Sequence, residues 1–573
     1  MTQSSHLKRR TLIKGMAAST LLPLLGANLV GCSDGSDNLG NSVLADFLHG
    51  VASGDPLTDR VILWTRLTPR GEGLVRVAWE VSTDESFSNI VASGSGTTSA
   101  EVDYTVKVDA EGLQPGSQYY YRFSSDDTVS PLGRTRTLPA GSAAAASFAV
   151  VSCSNYPAGF FNVYREVAQQ ELDAVLHLGD YLYEYAPGGY ASANAEAYGR
   201  VVQPPNELFS LADYRTRYAQ YRTDEDLQAA HGRHPFITVW DDHEIANDAW
   251  RDGAENHDPA TEGDYAARKM AAIQAWYEWQ PVRPPTDVNE VIYRRFQYAD
   301  LLDLLMLDTR IIGRDEQFVY PDFVSGGMID VAAARAAFGD SNRSLLGEEQ
   351  RAWLREQLAG SAARWQVLGQ QVLGGRYHLP APILEALDPA LSGDDPLAKG
   401  TAAVLAAVAA KTTPEASRTP EQQALLDSAI PYNLDAWDGY EYERDQLLSY
   451  AIDVGSKLVV LAGDTHNAWS SQLTTPDGRI AGVEFGCASV SSPGFDSVLG
   501  LEASGLFTPL IITLVDDLKR VNLVDRGYLH LRFTPDAVDA SHRFVSTIES
   551  REYTVDAAKT IAQSISRSDM LMT

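Results

Sequence analysis

Four short stretches of this chain place thiol, carboxylate, phenol and imidazole groups just beyond apolar runs. Cys153 follows the run 148–152, and Asp180 and Tyr183 follow 174–178. Asp241-Asp242-His243-Glu244 follows 236–240, and Asp464-Thr465-His466 follows 458–462. A core strand gains nothing by ending in an uncompensated charge. Asp180 therefore either caps the next helix, with Tyr183 as a packing aromatic, or meets a metal ion. Taken together, Cys153, Asp180, Tyr183, Asp242, Asp464 and His466 offer three carboxylates, a phenol, a thiol and an imidazole. Hard anionic oxygens suit iron(III) and calcium, whereas thiolate and imidazole suit transition metals. A carboxylate can bridge two ions, which fits a central Asp180, and Asp464 and His466 would point the same way from an extended segment. Two or more metals a few Å apart can perform in-line phosphoryl displacement, one generating hydroxide and the others neutralising phosphate charge.

Positioning such groups requires strands that deliver their ends to one place. The apolar runs 148–152, 174–178, 236–240, 302–307, 365–368 and 458–462 alternate with longer helical stretches, which predicts an α/β layer architecture. Ligand sites in open α/β sheets lie beyond the carboxyl ends of strands. The fourth and fifth runs end in Asp308-Thr309-Arg310 and Gln370-Gln371. Residues 44–138 read instead as short alternating strands separated by Gly/Pro/Asp turns, which predicts a small all-β sandwich of immunoglobulin-like size. A small-residue linker near 139–146 leads into a catalytic domain over 147–540, with an insertion at 377–450 that includes an Ala-rich helical stretch. Residues 541–573 are expected to form a tail, with a terminal helix over 555–566.

The 573 residues carry 76 Asp+Glu against 46 Lys+Arg, a formal net charge of −30. That balance repels nucleic acid and anionic membrane at long range, so no nucleic-acid surface is expected and any phosphate substrate needs a local cationic site. Three cysteines, Cys32, Cys153 and Cys487, exclude a disulfide scaffold. Residues 1–32 read as a targeting segment: Arg9-Arg10 before a mild apolar stretch resembles a twin-arginine export signal. Leu29-Val30-Gly31-Cys32 resembles a lipoprotein-processing box, so Cys32 is a candidate lipid anchor, and 33–43 is a flexible linker. The expected location is periplasmic or extracellular.

The motifs SCSNYPAGFF, HLGDYLYEY, VWDDHE, LDTR, WDGY and LAGDTH occur in that order, after an initial FLHGVASGDP. Together they resemble PhoD-type alkaline phosphatases, related to the purple-acid-phosphatase branch of the calcineurin-like metallophosphoesterases. The resemblance implies two mixed sheets flanked by helices, preceded by the small β domain. It also implies an iron(III) ion and two calcium ions. Cys153, Asp180, Tyr183 and His466 would surround iron, Asp180 would bridge towards calcium, and Asp242 and Asp464 would hold calcium. His243 would contact phosphate or protonate the leaving group. Arg310 is either a forked phosphate donor or an ion-pair residue. Gln370 is a weaker candidate, and Glu244 is expected to orient His243. Asp241 reads as structural, Cys487 as a buried apolar residue, and His49 and His177 as polar residues outside the site.

The expected activity is hydrolysis of small phosphate esters by a monomeric, exported alkaline phosphatase/phosphodiesterase serving phosphate acquisition. Teichoic acid or phospholipid head groups are alternative substrates. A thiol hydrolase using Cys153, His466 and Asp464 is a competing class. A surface-anchored binding protein with a vestigial site is a third.

Overall fold

The computed structural model describes residues 42–284, 292–388, 390–392, 396–499 and 501–572. The export segment, Cys32 and nearly all of the linker at 33–43 lie outside the described residues. No helix among the described residues is long and apolar enough to cross a membrane.

The six apolar runs form six strands: β1 (Ala146–Val151), β2 (Ala174–His177), β3 (Pro235–Thr238), β4 (Leu302–Met306), β5 (Trp365–Gly369) and β6 (Leu458–Ala462). Burial on both faces explains why they read as continuous apolar stretches rather than alternating ones. They divide between two mixed sheets. In the nine-stranded sheet β1, β2 and β3 are parallel neighbours. In the seven-stranded sheet β4, β5 and β6 are parallel neighbours, and β6 pairs in parallel with Ile480–Gly486. One core contains Phe148, Val150 and Leu176 from the first sheet with Leu304, Met306, Val367 and Leu461 from the second. Burying each such side chain contributes about 1.5–3 kcal/mol. A second core lies under the insertion and includes Leu305, Leu368 and Val460, which alternate with residues of the first core along their strands.

Two findings differ from the sequence reading. Residues 44–138 form the expected all-β unit, its two layers packed on a core of their own that includes Val51, Leu63, Val77 and Tyr121, but one layer is not separate from the catalytic domain. Val75–Ser82, Ile90–Thr98, Gln118–Ser125 and Gly133–Arg136 build a five-stranded sheet with Thr128–Val129, and Val75–Ser82 shows the expected in–out alternation. Val51–Gly54, Arg60–Arg66 and Thr105–Glu111 instead extend the nine-stranded sheet, with Val51–Gly54 pairing in parallel with β3. The β segment is thus joined to the catalytic sheet by backbone hydrogen bonds. At the other end, Ile561–Ser566 is a strand and not a helix. It pairs antiparallel with Ala537–Phe544 and forms the edge of the same sheet.

Candidate metal centre

The carboxyl ends of β1, β2, β3 and β6 bring their following residues to one place. The loops pack so closely that side-chain volume is limiting. Gly179 has φ +105°, and a Cβ there would lie 2.3 Å from Cβ of Asp241. Only glycine allows the β2 and β3 loops to approach in this way. Beyond these turns Cys153, Asp180, Asp464 and His466 have φ of 62°, 54°, 64° and 62°. Left-handed backbone at a non-glycine residue costs about 1–2 kcal/mol. Four such residues, all among the expected ligands, mark a place where side-chain direction outweighs backbone comfort.

Cys153, Asp180 and His466 each offer a ligand atom within 4.8 Å of the others. Tyr183 joins them: its hydroxyl donates to Asp180 Oδ2 at 2.9 Å, lies 3.2 Å from His466 Nε2, and accepts from Ser492 Oγ at 2.6 Å. The Pro493 carbonyl can only accept, so the 2.7 Å contact to His466 Nδ1 places a proton on that nitrogen. Nε2 is then the nitrogen that faces the group, and Nδ1–H with a free Nε2 is the tautomer a metal requires. A second group, Asp180 with Asp242 and His243, shares Asp180 with this one, and a third, Asp241 with Asp242 and Asp464, shares Asp242 with the second. Asp180 and Asp242 each belong to two of the three groups, and Asp180 is the one that links the Cys153–His466 group to the others, which fits the bridging position expected of it.

Chemically, these groups are rich in donors and short of cations. Asp180 Oδ1, Asp241 Oδ2 and Asp242 Oδ1 are buried without a hydrogen-bond partner, although Asp242 Oδ1 lies 3.7 Å from an Arg310 nitrogen. Burial pushes the Asp241 and Asp464 carboxyls well above the ordinary range, against the nearby Arg310 charge. Burial and the Asp180 charge likewise push up the Cys153 thiol and the Tyr183 phenol. Burial opposes ionisation of Asp242 as well, but Arg310 and His243 hold it below its usual value. A donor set of one thiol, one phenol, two imidazoles and four acids, with three orphaned oxygens, fits bound metal cations.

His243 lies against this group, its ring centroid 4.2 Å from that of Tyr183. Its Nδ1 is 2.7 Å from Glu184 Oε2, while Asn247 N–H and Asn256 Nδ2 donate to the other Glu184 oxygen, both at 2.8 Å. Burial would depress the His243 pKa, but the Glu184, Asp242 and Asp180 carboxylates outweigh it and raise it well above the ordinary value. Glu184 was missed in the sequence, although it sits inside the HLGDYLYEY motif. The orienting role expected of Glu244 belongs to it. Glu244 instead accepts the backbone N–H groups of Asp180 (3.0 Å), Asp241 (2.6 Å) and Tyr181, and so ties the β2 loop to the β3 loop.

Arg310 does not fit the role of a free fork for phosphate. Its guanidinium is fully buried and bonded to Asp241, to Asp435 at 2.7 Å and to Asp464 at 2.7 Å. The ion-pair alternative describes it. Asp435, from the insertion, had no signal in the sequence that singled it out. Gln370 is also committed elsewhere: it accepts from Trp437 Nε1 at 2.8 Å and donates to the Val372 carbonyl at 3.1 Å. His177 meets Tyr164 at 2.9 Å and His49 sits edge-on to Trp279, both as polar residues of the interior. Cys487 is buried 3.3 Å from Ser152 Oγ. A thiol-hydrolase triad is not assembled, because His466 Nδ1 is held by a backbone carbonyl while Asp464 is held by Arg310.

Residues 148–542 match the family described as PhoD-like phosphatase, and residues 37–139 match its N-terminal domain. Alkaline phosphatase D of Bacillus subtilis (strain 168) is 36% identical over 468 residues, covering 78% of this chain and 70% of that protein. A solved structure of PhoD is 30% identical with a TM-score of 0.73, covering 94% of this chain and 92% of that one. The chain therefore belongs to the PhoD-like phosphatase family and is a phosphoesterase.

Proposed function

We propose that this protein is an exported alkaline phosphatase/phosphodiesterase that releases phosphate from small esters outside the cytoplasm. The observation that carries the reading is the meeting of Cys153, Asp180, Tyr183 and His466 beside Asp241, Asp242 and Asp464, with buried carboxylate oxygens lacking partners. Cys153, Asp180, Tyr183 and His466 would hold iron(III), and Asp180, Asp242 and Asp464 would hold calcium. When bound, such ions supply Lewis acidity and an activated water. With Nδ1 committed to Glu184, Nε2 of His243 is the nitrogen left for the ester. Water adds to phosphorus as the P–O bond to the alcohol breaks, and the expelled oxygen takes the proton that His243 holds. The proton lost by the water passes to solvent. Arg310 acts as a counter-ion that keeps the Asp241, Asp242 and Asp464 carboxylates together.

The leading segment, through its paired arginines, would send the folded protein through the twin-arginine machinery, and Cys32 would carry a lipid anchor. The role in phosphate acquisition and a monomeric state belong to the same proposal.

The test is hydrolysis of 4-nitrophenyl phosphate and of its bis ester at alkaline pH by the metal-replete protein. Both activities should fall by about 10²-fold or more on calcium chelation and return on adding calcium back. Metal-replete protein with no activity on either ester, or activity that iodoacetamide abolishes and chelators leave intact, would overturn the reading.

A further inference from the structure

Beside the metal centre lies a cavity of about 460 Å³ whose walls include Asp464, His466 and Tyr190. A second cavity, of about 300 Å³, lies between the insertion helix Pro396–Thr412 and the helix Leu501–Leu514, over the strand Ala468–Thr474. The two share Leu387, Tyr432 and Phe495. The Tyr432 and Phe495 rings stand 5.5 Å apart at 33° and line the boundary where the polar and apolar cavities adjoin. On the polar side, Thr465 Oγ1 accepts from Trp469 Nε1 at 2.8 Å, so the wall of the apolar cavity is hydrogen-bonded directly to the loop that carries Asp464 and His466. Beyond this boundary the lining includes Leu379, Ile383, Val404, Ile511, Leu514 and Val515.

We propose that this apolar cavity binds an alkyl group esterified to the phosphate, so that the substrate class is alkyl phosphate esters. The inference rests on the phosphoesterase reading and specifies its substrate. Its warrant is continuity: a phosphate beside Asp464 and His466 has the shared Tyr432–Phe495 wall as its neighbour, and a chain leading from it would pass into an aliphatic enclosure. An enclosure of aliphatic side chains offers water no partners, so displacing water by hydrocarbon is favourable. At about 30 Å³ per unit, the share of a water molecule in the liquid, the enclosure has room for about ten methylene-sized units. The phosphate end matches the polar side, where metal cations would offset its charge.

The test uses the metal-loaded full-length protein and a series of 4-nitrophenyl phosphate diesters carrying methyl, butyl or octyl as the second group, below their aggregation concentrations. In each, water oxygen joins phosphorus, the P–O bond to the aryl group breaks, and nitrophenolate leaves with the alkyl group still on phosphate. kcat/KM should rise about 2- to 4-fold per added methylene, and by about 100-fold or more from methyl to octyl. Filling the cavity with Val404→Trp should bring the octyl-to-methyl ratio down to within about threefold of one. The methyl ester separates the two ideas: its hydrolysis with a flat chain-length series on the unaltered protein would overturn the cavity assignment alone. Failure to hydrolyse the methyl ester, the bis ester and 4-nitrophenyl phosphate alike would overturn the phosphoesterase reading itself. A series that rises on the unaltered protein but persists undiminished in a folded Val404→Trp protein would place the alkyl chain elsewhere and also overturn the assignment.

Discussion

Asp180→Asn is expected to lower kcat/KM on both phosphate monoesters and diesters by about 10³-fold or more, the scale of losing several kcal/mol of transition-state stabilisation. The substitution is conservative in every respect but charge. Asparagine tolerates the left-handed backbone, φ 54°, that Asp180 adopts. Its amide oxygen can still accept the Tyr183 hydroxyl, and the backbone N–H bond to Glu244 is untouched. What it removes is one negative charge from the residue shared by the Cys153–His466 group and the Asp242–His243 group. The metal content of the protein should therefore fall with the activity. The effect on stability should have the opposite sign in the absence of metal. Asp180, Asp241, Asp242 and Asp464 are crowded together, and their mutual repulsion helps to push up the Asp241 and Asp464 pKa values after burial itself. Chelated Asp180→Asn protein should thus melt no lower than chelated parent protein. A variant that keeps its metals and most of its activity, or that loses activity only because it unfolds, would contradict the bridging role.

The second large effect is expected at His243 and its carboxylate. His243→Ala should cost about 10²–10⁴-fold on alkyl phosphates, the range of a positioned proton donor. On 4-nitrophenyl phosphate the loss should be much smaller, because nitrophenolate leaves without needing a proton. Glu184→Gln should follow the same leaving-group pattern at smaller amplitude. It keeps the shape and an acceptor for the Asn247 and Asn256 N–H groups, but it no longer offsets the positive charge of a protonated His243. The contrast between good and poor leaving groups distinguishes proton donation from structural damage, which would lower both rates alike. Equal losses on the two substrates would assign His243 to binding rather than to proton transfer.

How much of this was legible in the sequence depends on distance along the chain. The six core strands were legible because burial on both faces writes itself as an unbroken apolar run, and the residues following each run could be seen at once. Local spacing also marked Asp180 and Tyr183, and Asp464 and His466, as pairs. What the sequence did not reveal are partnerships that only packing creates. His243 and Glu184 lie on different strand ends, and the choice of Glu184 over the adjacent Glu244 depends on which carboxylate the β2 and β3 loops turn towards the ring. Arg310 meets Asp435 from the insertion as well as acids from the β3 and β6 ends, and no sequence spacing encodes that convergence. Ile561–Ser566 carries few large apolar residues and faces solvent at alternate positions, so its strand character comes from the edge of Ala537–Phe544 that it completes. In the same way Val51–Gly54 reads as part of the β segment but finds its neighbour in β3.

The central proposal is that Cys153, Asp180, Tyr183 and His466 together hold a metal ion, iron(III) as the family resemblance implies. Anomalous diffraction from crystals of the metal-replete protein, recorded on both sides of the iron absorption edge, tests this most directly. The account predicts an iron-specific peak at bonding distance from Cys153 Sγ, the Tyr183 hydroxyl oxygen, an Asp180 carboxylate oxygen and His466 Nε2. Density from an active crystal with no iron-edge signal at that point, or with the signal at a different set of residues, would contradict it.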